Sequence, residues 1–362
     1  MNRTFDCLKN DMSFKQHITG IFLGKAFDFR TKHILEIELT NRCSIGCFYC
    51  GATTESQSVF LDFDTVCHAI THFSESCQAR SIVPHFSVTG GDPLEYPHFE
   101  RLMTFLKSRK IHFSLKLNPS TLTETIHDMI AEAGCKTVKL TFMGRDSQKT
   151  YRKTDTIEKL CNATRRFKAD KIPVVWHFSL GEFNREDLLC SLGFVLENQP
   201  TAVSVGRLAR VGKLNEKNYP MDILPESYKS FLKQMLLYYY NHKRHGFDLV
   251  FKDKLWVPFL CEENIISASD LLKPGIRLGC DAKERLLVLT YAGELIRCGL
   301  LPEPVLSQIG DMAFFDILGT TTGKPSPIDD APCMPCKYQP VCRGCKGVAQ
   351  GSNAMKDPQC WL

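Results

Sequence analysis

Three cysteines stand close together near the start of the chain, in the run Cys43-Ser-Ile-Gly-Cys47-Phe-Tyr-Cys50. Gaps of three and two residues allow three thiolates to wrap one corner of a cuboidal iron–sulfur cluster and leave its fourth iron without a protein ligand. An open iron binds a small molecule directly, whereas a fully ligated cluster only transfers electrons. The spacing therefore predicts a catalytic cluster, and the alternatives are a zinc site or chance burial of the three side chains.

A second group of cysteines lies toward the C-terminus and includes the pairs Cys333–Cys336 and Cys342–Cys345. Pairs of this form suit a tetrahedral zinc site. However, the gap between Cys336 and Cys342 is far shorter than the roughly 15–20 residues between the pairs of a two-knuckle zinc site, and the group exceeds what one zinc needs. The spacing therefore argues against a single zinc ion.

The 362 residues include 17 cysteines, more than an ordinary large cytosolic enzyme has and fewer than a disulfide-stapled miniprotein. The N-terminus has no apolar signal region, and no stretch approaches the about 18 apolar residues of a membrane span. We therefore expect a cytoplasmic protein whose reduced thiols bind metal. The net charge of +5 is mild, and the basic stretches Arg165-Arg166 and 242–245 lack interleaved aromatic residues, so neither nucleic acid nor membrane is an expected partner.

Short β-rich runs alternate with runs of helical periodicity from about residue 34 onward. The predicted strands are 34–40, 85–90, 112–118, 137–144, 172–180 and 202–208, and the predicted helices include 62–77, 99–110, 122–133 and 156–168. This order predicts an α/β fold with a parallel sheet and right-handed crossovers. Six units are too few for an eight-unit barrel, which leaves a partial barrel or an open doubly wound sheet. In both, ligands gather at the carboxyl ends of the strands, and the first cysteine group follows the first strand.

The pattern changes after residue 215. We predict a helix from Pro225 to about His245, a strand at 247–253, and a hairpin with strands at 285–290 and 295–301. Residues 320–362 have too few apolar positions for a core of their own, so something other than an apolar core must order them.

The cysteine triad, with Tyr49 directly before its third member, resembles the hallmark motif of the radical S-adenosylmethionine (radical SAM) superfamily. Gly90-Gly91-Asp92-Pro93, at the end of the second predicted strand, is similar to the GGEP motif of that superfamily, whose backbone holds the methionine amino group of the cofactor. Glycine lets a backbone approach a ligand closely, and the Asp92 carboxylate adds negative charge near an ammonium. The resemblance implies a partial (β/α)6 barrel of the radical SAM type and S-adenosylmethionine as a cofactor.

The same resemblance assigns three further residues to the cofactor site. Asn118 ends the third predicted strand, where relatives have a TNG-like segment, and Arg152 matches an arginine that faces the cofactor carboxylate in relatives. At the fourth strand, relatives have Ser-x-Asp-Gly where this chain has Thr141-Phe142-Met143-Gly144. Thr141 keeps the hydroxyl contact but no acid follows it, so no catalytic acid or base is assigned.

The spacing of the C-terminal cysteines closely resembles the SPASM extension, a small iron–sulfur domain that holds two auxiliary four-iron clusters in relatives. By position, the resemblance implies Cys333, Cys336, Cys342 and Cys360 for the outer cluster, and Cys280, Cys298 and Cys345 for the inner one. Either Cys261 supplies the fourth inner ligand, which we favour, or the inner cluster keeps an open iron. The other cysteines are expected to be small buried core residues: Cys7, Cys67, Cys77, Cys135, Cys161 and Cys190.

The resemblance implies three [4Fe–4S] clusters, the first of which reductively cleaves S-adenosylmethionine to a 5′-deoxyadenosyl radical that abstracts a hydrogen atom from a substrate. Relatives with a SPASM extension most often act on ribosomally synthesised peptides, so a peptide or small protein that is cross-linked or oxidised is the expected substrate. The implied electron donor is an external one-electron reductant of the flavodoxin or ferredoxin type. Because only 42 residues precede Cys43, a peptide substrate is expected to bind either at the sheet edge or core surface of this chain or through a separate leader-binding protein.

Three other functions stay open: a sulfatase-maturating enzyme that forms formylglycine, a small-molecule radical SAM dehydrogenase, and an iron–sulfur electron-transfer protein. For the domain organisation we expect an N-terminal extension (1–33), the radical SAM partial barrel (34–215), a bridging helix and strand (216–270), and a SPASM domain with the auxiliary clusters (271–362).

Overall fold

A computed structural model describes residues 2–50, 57–151, 157–214, 222–242, 247–273, 276, 278, 280–301, 305–308 and 333–362. Its ten described strands form one sheet. The strands are β1 Lys32–Glu38, β2 Val83–Thr89, β3 Phe113–Leu117, β4 Cys135–Phe142, β5 Val174–Leu180, β6 Ala202–Arg207, β7 Asp248–Val250, β8 Leu286–Leu289, β9 Glu294–Ile296 and β10 Ser307–Gln308.

Strands β1 to β7 lie side by side in chain order, and each pairs in parallel with the next. This arrangement confirms the predicted α/β fold, with the six predicted strands in the predicted order, and it agrees with the partial barrel that the resemblance implies. The short strand predicted at 247–253 is β7, which adds a seventh parallel strand beside β6.

Helices follow most of these strands. They are α1 Asn2–Asn10, α2 Met12–Thr31, α3 Phe63–Gln78, α4 Phe99–Ser108, α5 Glu124–Glu132, α6 Arg145–Tyr151, α7 Ile157–Ala169, α8 Arg185–Cys190, α9 Leu192–Asn198, α10 Pro225–His242, α11 Trp256–Glu262, α12 Ala268–Leu271, α13 Asp281–Glu284 and α14 Lys346–Gly351. The four helices predicted within the barrel are confirmed, as is the helix that begins at Pro225. None of the described helices is long and apolar enough to cross a membrane.

The barrel strands bury one face against the helices and turn the other inward. In β4 and β5 the helix-facing side chains include Phe142 and Trp176, whose ring centroids lie 5.0 Å apart. The Trp176 indole N–H donates to the Thr164 hydroxyl of α7 at 2.9 Å, which satisfies the polar atom of a fully buried ring. The apolar side chains of this face hold the strands, so the inward face is free to carry polar groups.

The N-terminal region forms two helices, α1 and α2, that the sequence reading did not predict. Apolar residues of α2 recur every four residues and are buried at Phe14, Ile18 and Phe22. Phe14 meets the ring of Tyr240 in α10, and Phe22 meets Phe251, which directly follows β7. Residues 2–31 therefore cover the β7 side of the barrel.

The predicted C-terminal hairpin is confirmed, and β8 and β9 are its two strands. Strand β8 also pairs in parallel with β1, with Glu36 opposite Val288. The hairpin therefore extends the barrel sheet beyond β1, which brings the C-terminal cysteine region next to the strand that leads into the cysteine triad.

Candidate cluster and cofactor site

The loop that carries the cysteine triad is closed at its base by two buried polar residues that follow β1. The Thr40 hydroxyl donates to the Val59 carbonyl at 2.7 Å, and the Asn41 side chain accepts from the Val59 N–H at 2.7 Å and donates to the Gln57 carbonyl at 3.1 Å. Both ends of the loop are thereby fixed. The sequence reading missed this pair, although two polar residues directly after an apolar strand are a signal for it.

The Gly90-Gly91-Asp92 segment after β2 packs against the backbone that leads into the triad. The Gly91 N–H donates to the Thr40 carbonyl at 2.6 Å, and the Asp92 N–H donates to the Arg42 carbonyl at 2.7 Å. A Cβ on Gly91 would stand 2.2 Å from the Arg42 carbonyl oxygen, and Gly90 has a φ of +140°. We expected these glycines to admit a ligand, and the structure shows that they admit the chain's own backbone.

Asp92 and Asn118 occupy the same position at the ends of neighbouring strands and have the same local role. Each is buried, precedes a proline and caps a short 3-10 turn with its side chain. Asp92 accepts the backbone N–H of Leu94 at 3.1 Å, and Asn118 accepts the backbone N–H of Ser120 at 3.0 Å. The Thr121 hydroxyl donates to the second Asp92 oxygen at 2.7 Å, which joins the two turns.

Glu95 positions the triad loop from the turn that Asp92 caps. Its carboxylate accepts from the Arg42 Nε at 3.0 Å and from the Ser44 N–H at 2.6 Å, so it contacts the residues on both sides of Cys43. The sequence reading did not single out Glu95, since a glutamate in a turn is ordinarily solvated.

The surroundings of Cys43 suit a thiolate that binds metal. Burial raises the pKa of this thiol, and the backbone N–H groups of Ile45 and Gly46 oppose the shift because they stabilise the anion. Cys50 acts on the same pKa, so these two thiols are neighbours. A turn in which the Cys50 N–H donates to the Cys47 carbonyl at 3.3 Å folds the third cysteine back toward the second.

Within the described ranges, no three His, Cys, Asp or Glu side chains lie together as a ligand set for one ion. The cysteine ligands of a four-iron cluster bind different irons and therefore stand farther apart than the ligands of a single ion.

An apolar group covers one side of the triad loop. Tyr49 is buried with Met143 and Leu214, and Cys47 and Phe48 pack against the same group. Met143 follows β4, which places the departure from the Ser-x-Asp-Gly motif in this apolar cover. Thr141 lies two residues earlier in β4, opposite His177 of β5. Arg152 lies outside the described residues.

The four cysteines assigned to the outer cluster line one cavity of about 50 Å³. They are Cys333, Cys336, Cys342 and Cys360. Burial raises the pKa of the Cys342 thiol, and Cys360 and two carboxylates act in the same direction. The Gly344 N–H approaches the Cys342 sulfur at 3.4 Å and is a donor for a thiolate there. Four sulfurs around one cavity fit the expected four-iron cluster.

The three cysteines assigned to the inner cluster are neighbours as well. Burial raises the pKa of Cys298 to about 12, and Cys280 and Cys345 contribute to that shift. Burial likewise raises the pKa of Cys345 to about 11. Thiols whose pKa burial raises this far, Cys298 and Cys345, need a bound cation before they ionise near neutral pH.

A buried ion-pair network connects these cysteines to the barrel. Arg207, the last residue of β6, donates to both oxygens of Asp357 at 2.6 and 2.7 Å and to Asp253 at 2.7 Å. Burial alone would raise the pKa of Asp357, but Arg207 holds it below its usual range. Asp357 also accepts the Cys345 N–H at 2.8 Å, so the network fixes the backbone of an inner cysteine.

Cys261 lies in α11, and its assignment to the inner cluster stays a prediction. Burial raises its pKa to about 11, and the charged groups that act on it are Lys337 and Glu262. Lys337 follows Cys336, which lines the outer cavity. Glu262 accepts from the indole N–H of Trp361, the residue after Cys360, at 2.7 Å, so both charged neighbours of Cys261 adjoin cysteines of the outer group.

The cysteines without a metal-binding spacing divide into three classes. Cys77 and Cys135 are buried as expected, and Cys67 and Cys161 are half-buried. Cys7 and Cys190 are exposed, so the expectation of core packing was wrong for these two. Both lie on helices, where one face is solvated whatever the residue type.

Residues 37–188 match the model of the radical SAM superfamily. No curated protein gives a significant match to the sequence. Among solved structures, SuiB from Streptococcus suis is similar over 92% of this chain and 78% of its own, with a TM-score of 0.72 and 14% identity. SuiB bound to its precursor peptide SuiA is similar over 94% of this chain and 79% of its own, with a TM-score of 0.70 and 14% identity.

Native anSMEcpe with bound AdoMet, S-adenosylmethionine, is similar over 87% of this chain and 89% of its own, with a TM-score of 0.65 and 18% identity. At these identities the likeness is one of fold. The family match covers the strands and loops that bear the cysteine triad, the Gly90-Gly91-Asp92 segment, Asn118 and Thr141. This chain therefore contains a domain of the radical SAM superfamily, at residues 37–188.

Proposed function

We propose that this chain is a radical SAM enzyme that reductively cleaves S-adenosylmethionine and uses the resulting radical to abstract a hydrogen atom from a ribosomally synthesised peptide, which is then cross-linked or oxidised. The observation that carries the proposal is the joining of the triad loop to the Gly90-Gly91-Asp92 segment by two backbone hydrogen bonds at the carboxyl edge of the barrel. Strand ends of parallel α/β folds are where ligands bind.

Cys43, Cys47 and Cys50 would hold the catalytic cluster, which when bound supplies the electron that cleaves S-adenosylmethionine. Our proposed contacts with that cofactor stay those expected from the sequence: Tyr49, Gly90, Gly91, Asp92, Asn118, Thr141 and Arg152. The Asp92 carboxylate already accepts two hydrogen bonds within the chain. Its contribution to the cofactor ammonium would therefore be its charge at a fixed position.

The residues around the triad do two things for this chemistry. Thr40, Asn41 and Glu95 fix the loop, so that the sulfurs are held before a cluster binds. The apolar group of Tyr49, Met143 and Leu214 excludes water from one side. A reactive radical must be shielded from solvent and stray hydrogen donors, and this cover serves that need.

We propose two auxiliary [4Fe–4S] clusters in a SPASM domain at 271–362. The outer one would be held by the four cysteines that line the cavity, and the inner one by Cys280, Cys298 and Cys345, with Cys261 as the proposed fourth ligand. The cavity and the mutual closeness of the inner thiols support these two sets. The remaining boundaries stay as expected from the sequence, at 1–33, 34–215 and 216–270.

A peptide substrate is supported by the precursor peptide bound to SuiB, whose fold this chain shares. We further propose a cytoplasmic location, a flavodoxin or ferredoxin as the electron donor, and a separate leader-binding protein. A sulfatase-maturating enzyme and a small-molecule dehydrogenase are the alternatives for the substrate. An electron-transfer protein is the remote alternative, since it would not need the motif segment joined to the triad.

The substrate proposal is tested with deuterated peptides from short open reading frames beside the gene. Anaerobically reconstituted protein is incubated with S-adenosylmethionine, dithionite and each peptide, and the mass of the 5′-deoxyadenosine is measured. Deuterium in 5′-deoxyadenosine together with a mass change in the peptide is the expected result. Deuterium transfer to 5′-deoxyadenosine from a sulfatase-derived peptide only, or from a small molecule only, would replace the proposed substrate class with that alternative.

A further inference from the structure

The inward face of the barrel carries charged residues that the sequence reading did not single out. In β1, Leu35 and Ile37 are fully buried in the core, and Glu36 and Glu38 alternate with them on the other face. Lysines occupy the corresponding face of the strands farther along the sheet. Lys116 of β3 and Lys139 of β4 are register partners, and Lys139 alternates with buried neighbours in the same way.

This inward face is also the face of the proposed chemistry. Thr141 lies on the same side of β4 as Lys139, two residues on, and is the register partner of His177. Opposite, a Cβ placed on Gly299 would stand 3.5 Å from a carboxylate oxygen of Glu38. Glu36 acts on the pKa of Cys298, the residue before Gly299. The two glutamates therefore face the inner cysteine group.

The carboxylates and ammonium groups of this face do not pair with one another. In the described chain, the side chains of Glu36, Glu38, Lys116 and Lys139 make no hydrogen bond and no ion pair within 4.0 Å. The other lysines and carboxylates of the fold commonly pair at 2.5–3.4 Å where they come close. Strand β2 lies between β1, which carries the two carboxylates, and β3 and β4, which carry the two ammonium groups.

The groups are nevertheless close enough to act on one another. Burial raises the pKa of Glu38 to about 7, an effect that Glu36 increases and Lys116 opposes. Burial lowers the pKa of Lys139 to about 8, and Glu36 opposes that shift. Lys116 is exposed to solvent, but Glu38 and Lys139 are charges that burial disfavours and that have no ion-pair partner within 4.0 Å in the described chain. Buried charge without a partner is unfavourable, so these two residues favour a ligand that supplies the partners.

His177 does not supply a further charge to this face. Burial lowers its pKa well below the usual value, and Lys116, Lys252 and Lys139 add to that shift. Its Nδ1 lies 2.9 Å from the Ser204 hydroxyl, and its ring covers Gly206. The neutral ring adds no charge to this face, and Glu36 is the carboxylate that acts on the pKa of Lys139.

We propose that the barrel interior binds a peptide segment that carries one basic and one acidic side chain, the basic group between Glu36 and Glu38 and the acidic group between Lys116 and Lys139. The proposal rests on the proposed function, because it names which peptides the barrel accepts. Two oppositely charged contacts on different strands, with β2 between them, also fix the direction of the segment, which would decide which C–H bond lies near the cofactor.

The test uses fluorescein-labelled glycine-rich peptides that contain one lysine and one glutamate at varied spacing. Reference peptides carry norleucine for lysine or glutamine for glutamate. Binding to the anaerobic holoenzyme with S-adenosylmethionine present is measured by fluorescence anisotropy. For the best spacing, we expect each neutral replacement to weaken binding by about tenfold. Glu36→Gln with Glu38→Gln should abolish the preference for lysine only, and Lys116→Gln with Lys139→Gln should abolish the preference for glutamate only.

Lys136→Gln and Glu100→Gln are matched controls, since Lys136 is an exposed residue of β4 and Glu100 an exposed residue of α4. Both should keep wild-type preferences, and circular dichroism with iron analysis confirms that each variant is folded and loaded. Equal binding of charged and neutral peptides by wild type, or preferences unchanged in the inward variants, would overturn the inference. Formation of 5′-deoxyadenosine without peptide is measured in parallel, and its absence counts against the proposed function instead.

Discussion

At the residue scale, the motif glycines are determined by packing within the chain. Gly91 has the Arg42 carbonyl where a Cβ would stand, and Gly90 has the Thr40 carbonyl at 2.7 Å from that position. The motif is therefore a joint between β2 and the triad loop, as well as a proposed cofactor contact. The sequence predicted the position of this motif but not its partner, because the contact joins residues about fifty positions apart.

Gly91→Ala should open this joint. We expect a loss of about 1–3 kcal/mol in the free energy of unfolding, because the methyl group must displace backbone, together with a lower iron content at the triad. Urea unfolding and iron analysis measure the two effects. Gly20→Ala is the matched control, since no atom lies within 4 Å of its Cβ position in α2, and it should stabilise by about 0.5–1 kcal/mol. Equal behaviour of the two variants would show that the joint does not hold the loop.

Glu38 gives the protein a specific pH dependence. Its pKa of about 7 in the folded state lies above the unfolded value near 4.3, because burial and Glu36 disfavour the charged form. The folded state therefore holds the proton more tightly, and its stability falls as the pH rises from about 4.3 through 7. The free energy of unfolding of Glu38→Gln should equal that of wild type near pH 4 and exceed it at pH 8 by on the order of 1–3 kcal/mol. Urea unfolding without peptide at both pH values measures this, and a constant difference would contradict it.

At the scale of elements, the sequence predicted the strands better than the way the C-terminal region joins them. The six barrel strands and the hairpin of β8 and β9 follow from alternation and turn residues, which are local signals. The parallel pairing of β8 with β1 joins Leu35 to Leu287 and leaves no local signal. The charges in β1 were visible as glutamates alternating with apolar residues in 34–40, whereas a fully buried parallel strand is apolar throughout.

The network of Arg207, Asp253 and Asp357 should govern loading of the auxiliary clusters. Arg207→Met leaves two buried carboxylates without their cation, and we expect a loss of about 3–5 kcal/mol in the free energy of unfolding. Because Asp357 holds the Cys345 N–H, iron should fall from about twelve toward about four per chain. The control is Arg185→Met, which removes an ion pair with Glu182. It should lower the free energy of unfolding by less than about 1 kcal/mol. Full iron loading in Arg207→Met would contradict this role.

Cys261 can be tested in the same way. If it completes the inner set, Cys261→Ser should lower the iron content of purified, reconstituted protein, and Cys77→Ser, a change at a buried cysteine of α3, should not. An unchanged iron content in Cys261→Ser would remove it from the ligand set and leave the inner cluster with three cysteines of this chain.

At the scale of the whole molecule, one sheet links everything that the proposed reaction needs. Its carboxyl edge carries the triad loop and the segments after β2, β3 and β4, and its β8 edge carries the hairpin that ends near Cys298. Arg207 ties the last residue of β6 to the C-terminal segment. The cysteine spacing predicted which residues group together, and the fold explains how they come to surround one charged interior.

The central claim is that the triad and the segments packed on it form a site that cleaves S-adenosylmethionine. Its most direct test is the yield of 5′-deoxyadenosine from anaerobically reconstituted protein with S-adenosylmethionine and dithionite, measured by chromatography and mass spectrometry. We predict 5′-deoxyadenosine from wild type and from Cys190→Ala, whose exposed thiol belongs to no ligand set, and none from Cys47→Ala. No 5′-deoxyadenosine from iron-loaded wild type, or an equal yield from Cys47→Ala, would contradict the claim.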